Sequence, residues 1–212
     1  MKNKIGLFGG TFNPIHKGHT GIVKKLLELS FFEEIYVIPS SKPPHREEME
    51  VDFYHRLEMV KLAFRNFKHV KIDSREKLRE GPSYTLDTFL SFQAEFKQKD
   101  FFWISGIDSF LTIHQWHQWE KLIEKTNFLI VSRPGYQINS EELVKDLLKE
   151  RGVTTIEQCS AEKNILYFES EDFDISSSRI RLEIEQGLFN PNKIDNSVIN
   201  YINNNNLYSK SV

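Results

Sequence analysis

The hydrophobic positions of the chain fall into two alternating patterns. Short apolar runs rich in β-branched and aromatic residues predict strands at Ile5–Phe8, Glu34–Ile38, Val70–Asp73, Phe101–Ser105, Phe128–Ser132 and Ile165–Phe168. Longer segments with a helical period predict helices near His19–Leu29, Asp52–Asn66, Thr85–Lys97, Trp116–Glu124, Glu141–Glu150, Ser176–Gln186 and Asp195–Asn203. This alternation predicts a parallel sheet that is covered by helices on both faces.

The domain organisation follows from the same pattern. No internal repeat and no Pro/Gly/Ser-rich linker divides the chain, and its last third is helical. We therefore expect one α/β domain over residues 1–212, a Rossmann-like open parallel sheet with a helical C-terminal appendage over about residues 176–207. Ligands of such sheets bind beyond the carboxyl ends of the strands. The candidate segments are therefore Gly9–His19, Pro39–Arg46, Gly106–Trp119 and Arg133–Gly135.

Composition excludes several classes of partner. The 212 residues carry 28 basic and 30 acidic side chains, so there is no basic excess for a nucleic-acid backbone, and we expect small-molecule phosphate chemistry. No apolar run is long enough to span a membrane, and no secretory signal is evident. Cys159 is the only cysteine, which excludes an internal disulfide. These features predict a cytoplasmic protein and leave open whether it forms a homo-oligomer.

The stretch after the first predicted strand, IGLFGGTFNPIHKGHTGIV from residue 5, does not match two familiar glycine loops. Its glycines lack the Gly-x-Gly-x-x-Gly spacing of a dinucleotide fold, and no Gly-Lys-Ser/Thr ends a phosphate loop, since Lys17 precedes Gly18. His16 and His19 could share a helix face as zinc ligands. A zinc site needs a third ligand, so the count argues against zinc.

An anion site explains the stretch better. Gly9 and Gly10 have no Cβ, which would let a ligand approach the backbone closely, and Thr11 adds a hydroxyl. A helix that begins near Gly18 or His19 would direct unpaired N–H groups and a partial positive charge at the same point. The alternative is a tight strand–helix turn in which the histidines cap or pack.

A second motif near the other end of the chain favours the anion site. GGTFNPIHKGH together with DISSSRIR resembles the paired signatures of the nucleotidyltransferase superfamily with the His-x-x-His motif, whose two motifs hold ATP from opposite sides. Ile175, Ser176 and Arg181 fall at the matching positions of the second signature. Ser176 is also a suitable N-cap for a helix that begins at Ser177, which would supply a second helix N-terminus for anions.

Further segments make the chain similar, over essentially its whole length, to the bacterial nicotinate mononucleotide adenylyltransferases. They are IPSSKPPHR, GPSYTLDT, ISGIDSF, the pair Trp116 and Trp119, SRPG and the C-terminal VINYINNNNLY. The resemblance implies transfer of the adenylyl group of ATP to nicotinate mononucleotide, which gives deamido-NAD and pyrophosphate in NAD biosynthesis. It also implies that Mg²⁺ arrives with ATP, with few or no metal ligands from the protein.

The resemblance assigns roles to individual residues. It implies ATP binding by Gly9, Gly10, Thr11, Phe12, His16, His19, Gly106, Asp108, Ser176, Ser177 and Arg181. It implies binding of nicotinate mononucleotide by Lys42, His45, Ser83, Tyr84, Thr85, Asp108, Trp116, His117 and Arg133. Trp116 would stack on the pyridine ring, and the backbone N–H of Thr85 would meet its carboxylate. Catalytic roles are implied for His16, His19, Lys42 and Arg181.

Some positions depart from the family pattern or fit a structural role. Asn13 stands where an Asp is common, and His117 stands where a bulkier aromatic residue is expected. Trp116 and Trp119, three residues apart, could both belong to the core. His45 could be an exposed loop residue, and surface charge is the alternative reading of Arg46, Arg56 and Arg133.

Two other functions keep both ATP motifs. An adenylyltransferase for a flavin or a pantetheine phosphate would not need Trp116 or the Ser83-Tyr84-Thr85 segment. A nucleotide sensor without catalysis would bind ATP but would not need the intact pair of His16 and His19.

Overall fold

A computed structural model describes residues 4–44, 51–132, 142–159, 163–170 and 175–209. Within these ranges, seven parallel strands form one open sheet in the order β3-β2-β1-β4-β5-β7-β6. The strands are β1 (Lys4–Gly10), β2 (Glu34–Pro39), β3 (Val70–Ile72), β4 (Asp100–Gly106), β5 (Asn127–Ser132), β6 (Gly152–Val153) and β7 (Ile165–Glu169). The predicted Rossmann-like open parallel sheet is confirmed.

The helices connect these strands and close the chain. In the described ranges they are α1 (Lys17–Glu28), α2 (Phe53–Phe64), α3 (Arg75–Leu78), α4 (Thr85–Glu95), α5 (Ile107–Phe110), α6 (Trp119–Lys125), α7 (Glu142–Arg151), α8 (Ser177–Glu185) and α9 (Asn196–Asn204). Two 3-10 turns lie at Ile113–Gln115 and Ile156–Gln158. None of these helices is long and apolar enough to cross a membrane.

Alternate residues of the strands build a hydrophobic core on each face of the sheet, because neighbouring side chains of a strand point to opposite faces. Phe8 and Val37 belong to the core that α1, α2, α8 and α9 cover. Leu7 and Ile38 belong to the core that α4, α5, α6 and α7 cover. The C-terminal helices α8 and α9 therefore pack on the first face. The single-domain organisation over residues 1–212 stays a prediction.

The order of the strands creates a crevice beside β1. The chain runs from β1 outward to β2 and β3, and then returns to place β4 on the other side of β1. The connections that leave β1 and β4 therefore diverge, which opens a crevice at their carboxyl ends.

All six predicted strands are confirmed, and three short elements, β6, α3 and α5, were not predicted. The predicted helix near Trp116–Glu124 starts too early. Trp116 is extended, and Gln118 has a left-handed φ of 50°, so α6 begins only at Trp119. The helix predicted near His19 starts at Lys17, because His16 is the extended residue before it.

Candidate active site

Two neighbouring cavities lie at the carboxyl edge of the sheet. The central cavity, of about 520 Å³, lies beyond the ends of β1 and β4. It is lined by every residue that the resemblance assigns to ATP: Gly9, Gly10, Thr11, Phe12, His16, His19, Gly106, Asp108, Ser176, Ser177 and Arg181. The side cavity, of about 300 Å³, is lined by five of the residues assigned to the mononucleotide: Ser83, Tyr84, Thr85, Trp116 and His117.

The two cavities share a wall. Gly9, Gly10 and Thr11, where the chain leaves β1, line both of them. Ser105 and Ser109, at the end of β4 and in α5, also line both. A molecule in one cavity is therefore close to a molecule in the other across the end of β1.

The other four residues assigned to the mononucleotide are not among the described residues that line the side cavity. Lys42 is exposed in the connection after β2, between the lining residues Ser40 and Pro43 of the side cavity. Asp108 is exposed and lines only the central cavity. His45 and Arg133 lie outside the described residues.

The two glycines at the end of β1 are also required by packing, a reason that the sequence did not predict. A Cβ at Gly9 would overlap Cζ2 of Trp103, and one at Gly10 would meet Cζ of Phe12 at 2.9 Å. Real Cβ atoms do not approach other atoms so closely, so packing against aromatic rings excludes a side chain here. The predicted approach of a ligand to this backbone stays a prediction. Phe12 itself is buried and has a left-handed φ of 48°.

The C-terminal part of the chain holds the loop that follows β1. Arg181 Nη1 donates to the Asn13 carbonyl oxygen at 2.7 Å, and Ser177 Oγ donates to the Pro14 carbonyl oxygen at 3.0 Å. The Tyr208 hydroxyl donates to Asn13 Oδ1 at 2.6 Å in a buried bond. Asn13, which departs from the family pattern, therefore has a structural role, because its amide oxygen accepts a hydrogen bond from Tyr208.

His16 and His19 stack on each other beside this loop, with ring centroids 3.7 Å apart. Burial lowers the pKa of His16 to about 4. Burial, followed by the nearby His16, lowers the pKa of His19 well below its ordinary value. Both imidazoles of the protein alone are therefore neutral at pH 7. The His16 backbone N–H donates to His19 Nδ1 at 3.2 Å, so the proton of neutral His19 lies on Nε2.

Two helices begin at the central cavity. Gly18 and His19 in the first turn of α1 line it, as do Ser177 and Ser178 in the first turn of α8. The predicted cap of α8 is confirmed, because Ser176 Oγ accepts from the Arg179 N–H at 3.3 Å. Both helix starts present backbone N–H groups without an intrahelical partner, and both carry partial positive charge.

One residue that holds this region together was not identified from the sequence. Arg56 is not a surface charge, because its side chain is 0% exposed. Its Nη1 donates to the Thr11 carbonyl oxygen at 2.6 Å and its Nη2 to the Ser40 carbonyl oxygen at 2.8 Å. Arg56 thus joins the connections after β1 and β2. Its place on the buried face of α2, between Phe53 and Val60, was the sequence signal that could have revealed it.

The residues in the described ranges contain no group of three His, Cys, Asp or Glu side chains placed to hold a metal ion. Asp108 is the one carboxylate that lines the central cavity within these ranges. Any divalent cation there would receive few ligands from this part of the chain.

Comparison with known proteins agrees with this geometry. Residues 7–183 match the model of the cytidylyltransferase-like family. A relative from Pseudomonas paraeruginosa named "Probable nicotinate-nucleotide adenylyltransferase" is 33% identical over 98% of both chains. A relative of the same name from Shewanella frigidimarina is 32% identical over 97% of this chain and 99% of its own. The chain belongs to the nicotinate-nucleotide adenylyltransferases of the cytidylyltransferase-like family.

Solved structures of other proteins share the fold of this protein. The Plasmodium falciparum nicotinic acid mononucleotide adenylyltransferase complexed with NaAD is 24% identical, with a TM-score of 0.75. The same enzyme complexed with APC is 22% identical, with a TM-score of 0.74. Each comparison covers 97% of both chains. The order of elements described above is thus the fold of these enzymes.

We expect Gly9→Ala to lower the free energy of unfolding by about 1–3 kcal/mol, because the new Cβ overlaps the Trp103 ring. Gly106→Ala is the matched control. Gly106 ends β4 at the same cavity, and a Cβ there meets nothing within 4 Å. Urea denaturation of both variants measures the difference. Equal losses for the two variants would contradict the packing explanation.

We expect the unfolding free energy of the wild type to fall faster than that of His16→Gln between pH 6.5 and about 4. In this window His16 is protonated in the unfolded chain but stays neutral in the fold, because burial lowers its pKa from 6.5 to about 4. As the pH is lowered, the unfolded state therefore takes up a proton that the folded state does not. The free energy of unfolding decreases by at most roughly 3 kcal/mol over this window.

Urea denaturation at a series of pH values checks this expectation. His69→Gln, which changes an exposed histidine just before β3, should follow the wild type. Parallel curves for wild type and His16→Gln would show that burial does not lower the His16 pKa.

Proposed function

We propose that this protein transfers the adenylyl group of ATP to nicotinate mononucleotide. The phosphate oxygen of the mononucleotide forms a bond to the α-phosphorus of ATP, the bond from that phosphorus to the bridging α,β-oxygen breaks, and pyrophosphate leaves. The products are deamido-NAD (nicotinate adenine dinucleotide) and pyrophosphate. The observation that carries the proposal is the shared wall of Gly9, Gly10 and Thr11 between two cavities of different chemistry.

The central cavity suits the polyphosphate of ATP. The first turns of α1 and α8 both open into it, and Arg181 adds a guanidinium. Helix N-termini bind phosphate through free N–H groups and the helix dipole. The hydrogen bond to His19 Nδ1 leaves Nε2–H as a donor, so neutral His19 can donate to a phosphate oxygen without carrying a charge.

The side cavity suits a flat ring with an anionic substituent. Trp116 offers an aromatic surface, and Tyr84 and His117 stack on each other with ring centroids 4.0 Å apart. Thr85 is the first residue of α4, so its backbone N–H has no intrahelical partner and lies at the positive end of the helix. A carboxylate on the pyridine ring is the substituent that this N–H group and helix start favour.

Mg²⁺ fits the donor set of the central cavity as an ion that ATP brings. Asp108 is the one carboxylate lining that cavity in the described ranges, so phosphate oxygens and water would supply most of the ligands. Mg²⁺ commonly keeps several waters in this way. When bound, the ion neutralises negative charge on the phosphate oxygens.

The residues act by placement and by hydrogen bonding. No covalent enzyme intermediate is needed, because the nucleophile is an oxygen of the second substrate. Holding both substrates against the end of β1 supplies proximity. His16, His19, Arg181 and the two helix starts donate to oxygens whose negative charge grows in the transition state, and Lys42 approaches the reacting phosphates from the connection after β2. The cytoplasmic location stays a prediction.

We expect the protein to release pyrophosphate from Mg-ATP in the presence of nicotinate mononucleotide. The kcat/KM for nicotinamide mononucleotide should be lower than that for nicotinate mononucleotide by at least about ten- to a hundredfold. A carboxylate presents two charged acceptors to backbone N–H groups. A carboxamide would direct its NH₂ at one of those donors and leave it unpaired, which costs about 1–3 kcal/mol.

The measurement is a pyrophosphate-release assay with a panel of mononucleotides that includes flavin mononucleotide and phosphopantetheine. Turnover of one of those two instead would identify a different adenylyltransferase. ATP binding with no turnover of any member would indicate a sensor. Equal kcat/KM for the acid and the amide would contradict the role of α4.

We expect His19→Ala to lower kcat by about 10²–10³-fold, because one donor to the transition state is lost. His69→Ala, an exposed histidine at the far edge of the sheet, is the control and should keep its activity. Steady-state kinetics on variants with matched thermal stability measures the effect. An unchanged kcat in folded His19→Ala would remove His19 from the catalytic residues.

A further inference from the structure

Glu76 in α3 is a buried carboxylate that neither motif includes. Its side chain is only 4% exposed, and it lies outside the lining of both cavities. A buried carboxylate is retained only where hydrogen bonds or charges compensate for lost hydration. The groups that compensate Glu76 therefore show what it holds in place.

Glu76 joins two segments that border the side cavity. Its Oε1 accepts from Thr88 Oγ1 in α4 at 2.8 Å, and Oε2 lies 3.4 Å from the Ser41 backbone N in the connection after β2. Arg79 supports this arrangement, with Nη2 donating to Thr88 Oγ1 at 2.5 Å. Burial raises the pKa of Glu76, and hydrogen bonds from Ser83 and Thr88 oppose that rise.

Ser83 completes the connection. Its hydroxyl oxygen accepts from the backbone N–H groups of Ser41 and Lys42, each at 3.0 Å. Its own N–H donates to the Lys42 carbonyl oxygen at 2.9 Å. The Ser41 N–H thus faces both Ser83 Oγ and Glu76 Oε2. A hydroxyl has two acceptor sites, and both of those on Ser83 are used to hold this segment.

We propose that Glu76 is a positioning residue for the second substrate: together with Ser83 it fixes the Lys42 segment against the start of α4. The proposal rests on the function proposed above. Lys42 then approaches the mononucleotide phosphate from one side while Tyr84 and Thr85 meet its ring from the other. Ser83 then contributes to mononucleotide binding through the Lys42 segment as well.

Glu76→Gln is the first test. The amide has one oxygen instead of two, so it can accept from Thr88 Oγ1 or from the Ser41 N–H but not from both. We expect the KM for nicotinate mononucleotide to rise at least about tenfold, while the KM for ATP stays within about twofold. Ser83→Ala should also raise the KM for nicotinate mononucleotide and leave the KM for ATP nearly unchanged. The mononucleotide KM of the double variant should be no higher than that of the more impaired single variant, because both side chains act on one connection.

Asp73→Asn is the matched control. Asp73 precedes α3, and its carboxylate bonds to Arg75 at 2.8 Å without contact to Ser41 or Ser83. The control therefore perturbs a nearby partly buried carboxylate on a different connection. We expect both KM values to stay within about twofold, even where its thermal stability falls. A rise in the mononucleotide KM of Asp73→Asn equal to that of Glu76→Gln would overturn the proposal.

Amide hydrogen exchange tests the positioning without any substrate. In Glu76→Gln and Ser83→Ala, exchange at the Ser41 and Lys42 amides should accelerate at least about tenfold, while the Leu7 amide in β1 stays unchanged. Accelerated exchange in an enzyme that does not use nicotinate mononucleotide would disprove the proposed function and leave the positioning role standing. Unchanged exchange and unchanged KM in folded Glu76→Gln would disprove the positioning role. If Glu76→Gln does not fold, Ser83→Ala carries both measurements.

Discussion

The contact between the end of β1 and the ring of Trp103 is the constraint on which the site depends. Gly9 packs so closely on this ring that no side chain fits between them. The end of β1 therefore lies close against β4, and the chain continues into the loop that carries His16. Gly9, Gly10 and Thr11 form the wall that the two cavities share. A thicker wall would separate the two substrates by more than the reaction allows.

The loop after β1 is held in place from distant parts of the sequence. Arg56 fixes it from α2, Arg181 from α8 and Tyr208 from the C-terminal end, and each bonds to Thr11 or Asn13. The C-terminal appendage is therefore part of the site as well as of the core. The two family signatures, far apart in sequence, are in contact in the fold. Ser177 and Arg181 of the second signature donate to backbone oxygens in the loop of the first.

Local sequence predicted the elements well where a local cause forms them. The short apolar runs predicted six of the seven described strands, and Ser176 caps α8 because an N-cap depends on its own neighbours. The short α5 and β6 carry too few residues for a periodic signal. The two-residue strand β6 forms by pairing with β7, a partner that local sequence does not reveal.

The sequence predicted which residues line the candidate site better than it predicted why they have their positions and charge states. The lining of the central cavity follows the motif positions. The reason for Gly9 and the burial of Arg56 depend on contacts with Trp103 and Ser40, far away in sequence, so no local pattern contains them. The neutral state of His16 has the same origin, because burial by the assembled fold lowers its pKa.

The most direct measurement of the central claim is a crystal structure of the protein with α,β-methylene ATP and nicotinate mononucleotide together. The account predicts ATP in the central cavity and the mononucleotide in the side cavity. A phosphate oxygen of the mononucleotide should lie about 3–3.5 Å from the α-phosphorus, beside Gly10 and Thr11 and in line with the methylene bridge. Phosphates separated by about twice that distance or more, or a mononucleotide bound outside the side cavity, would contradict it.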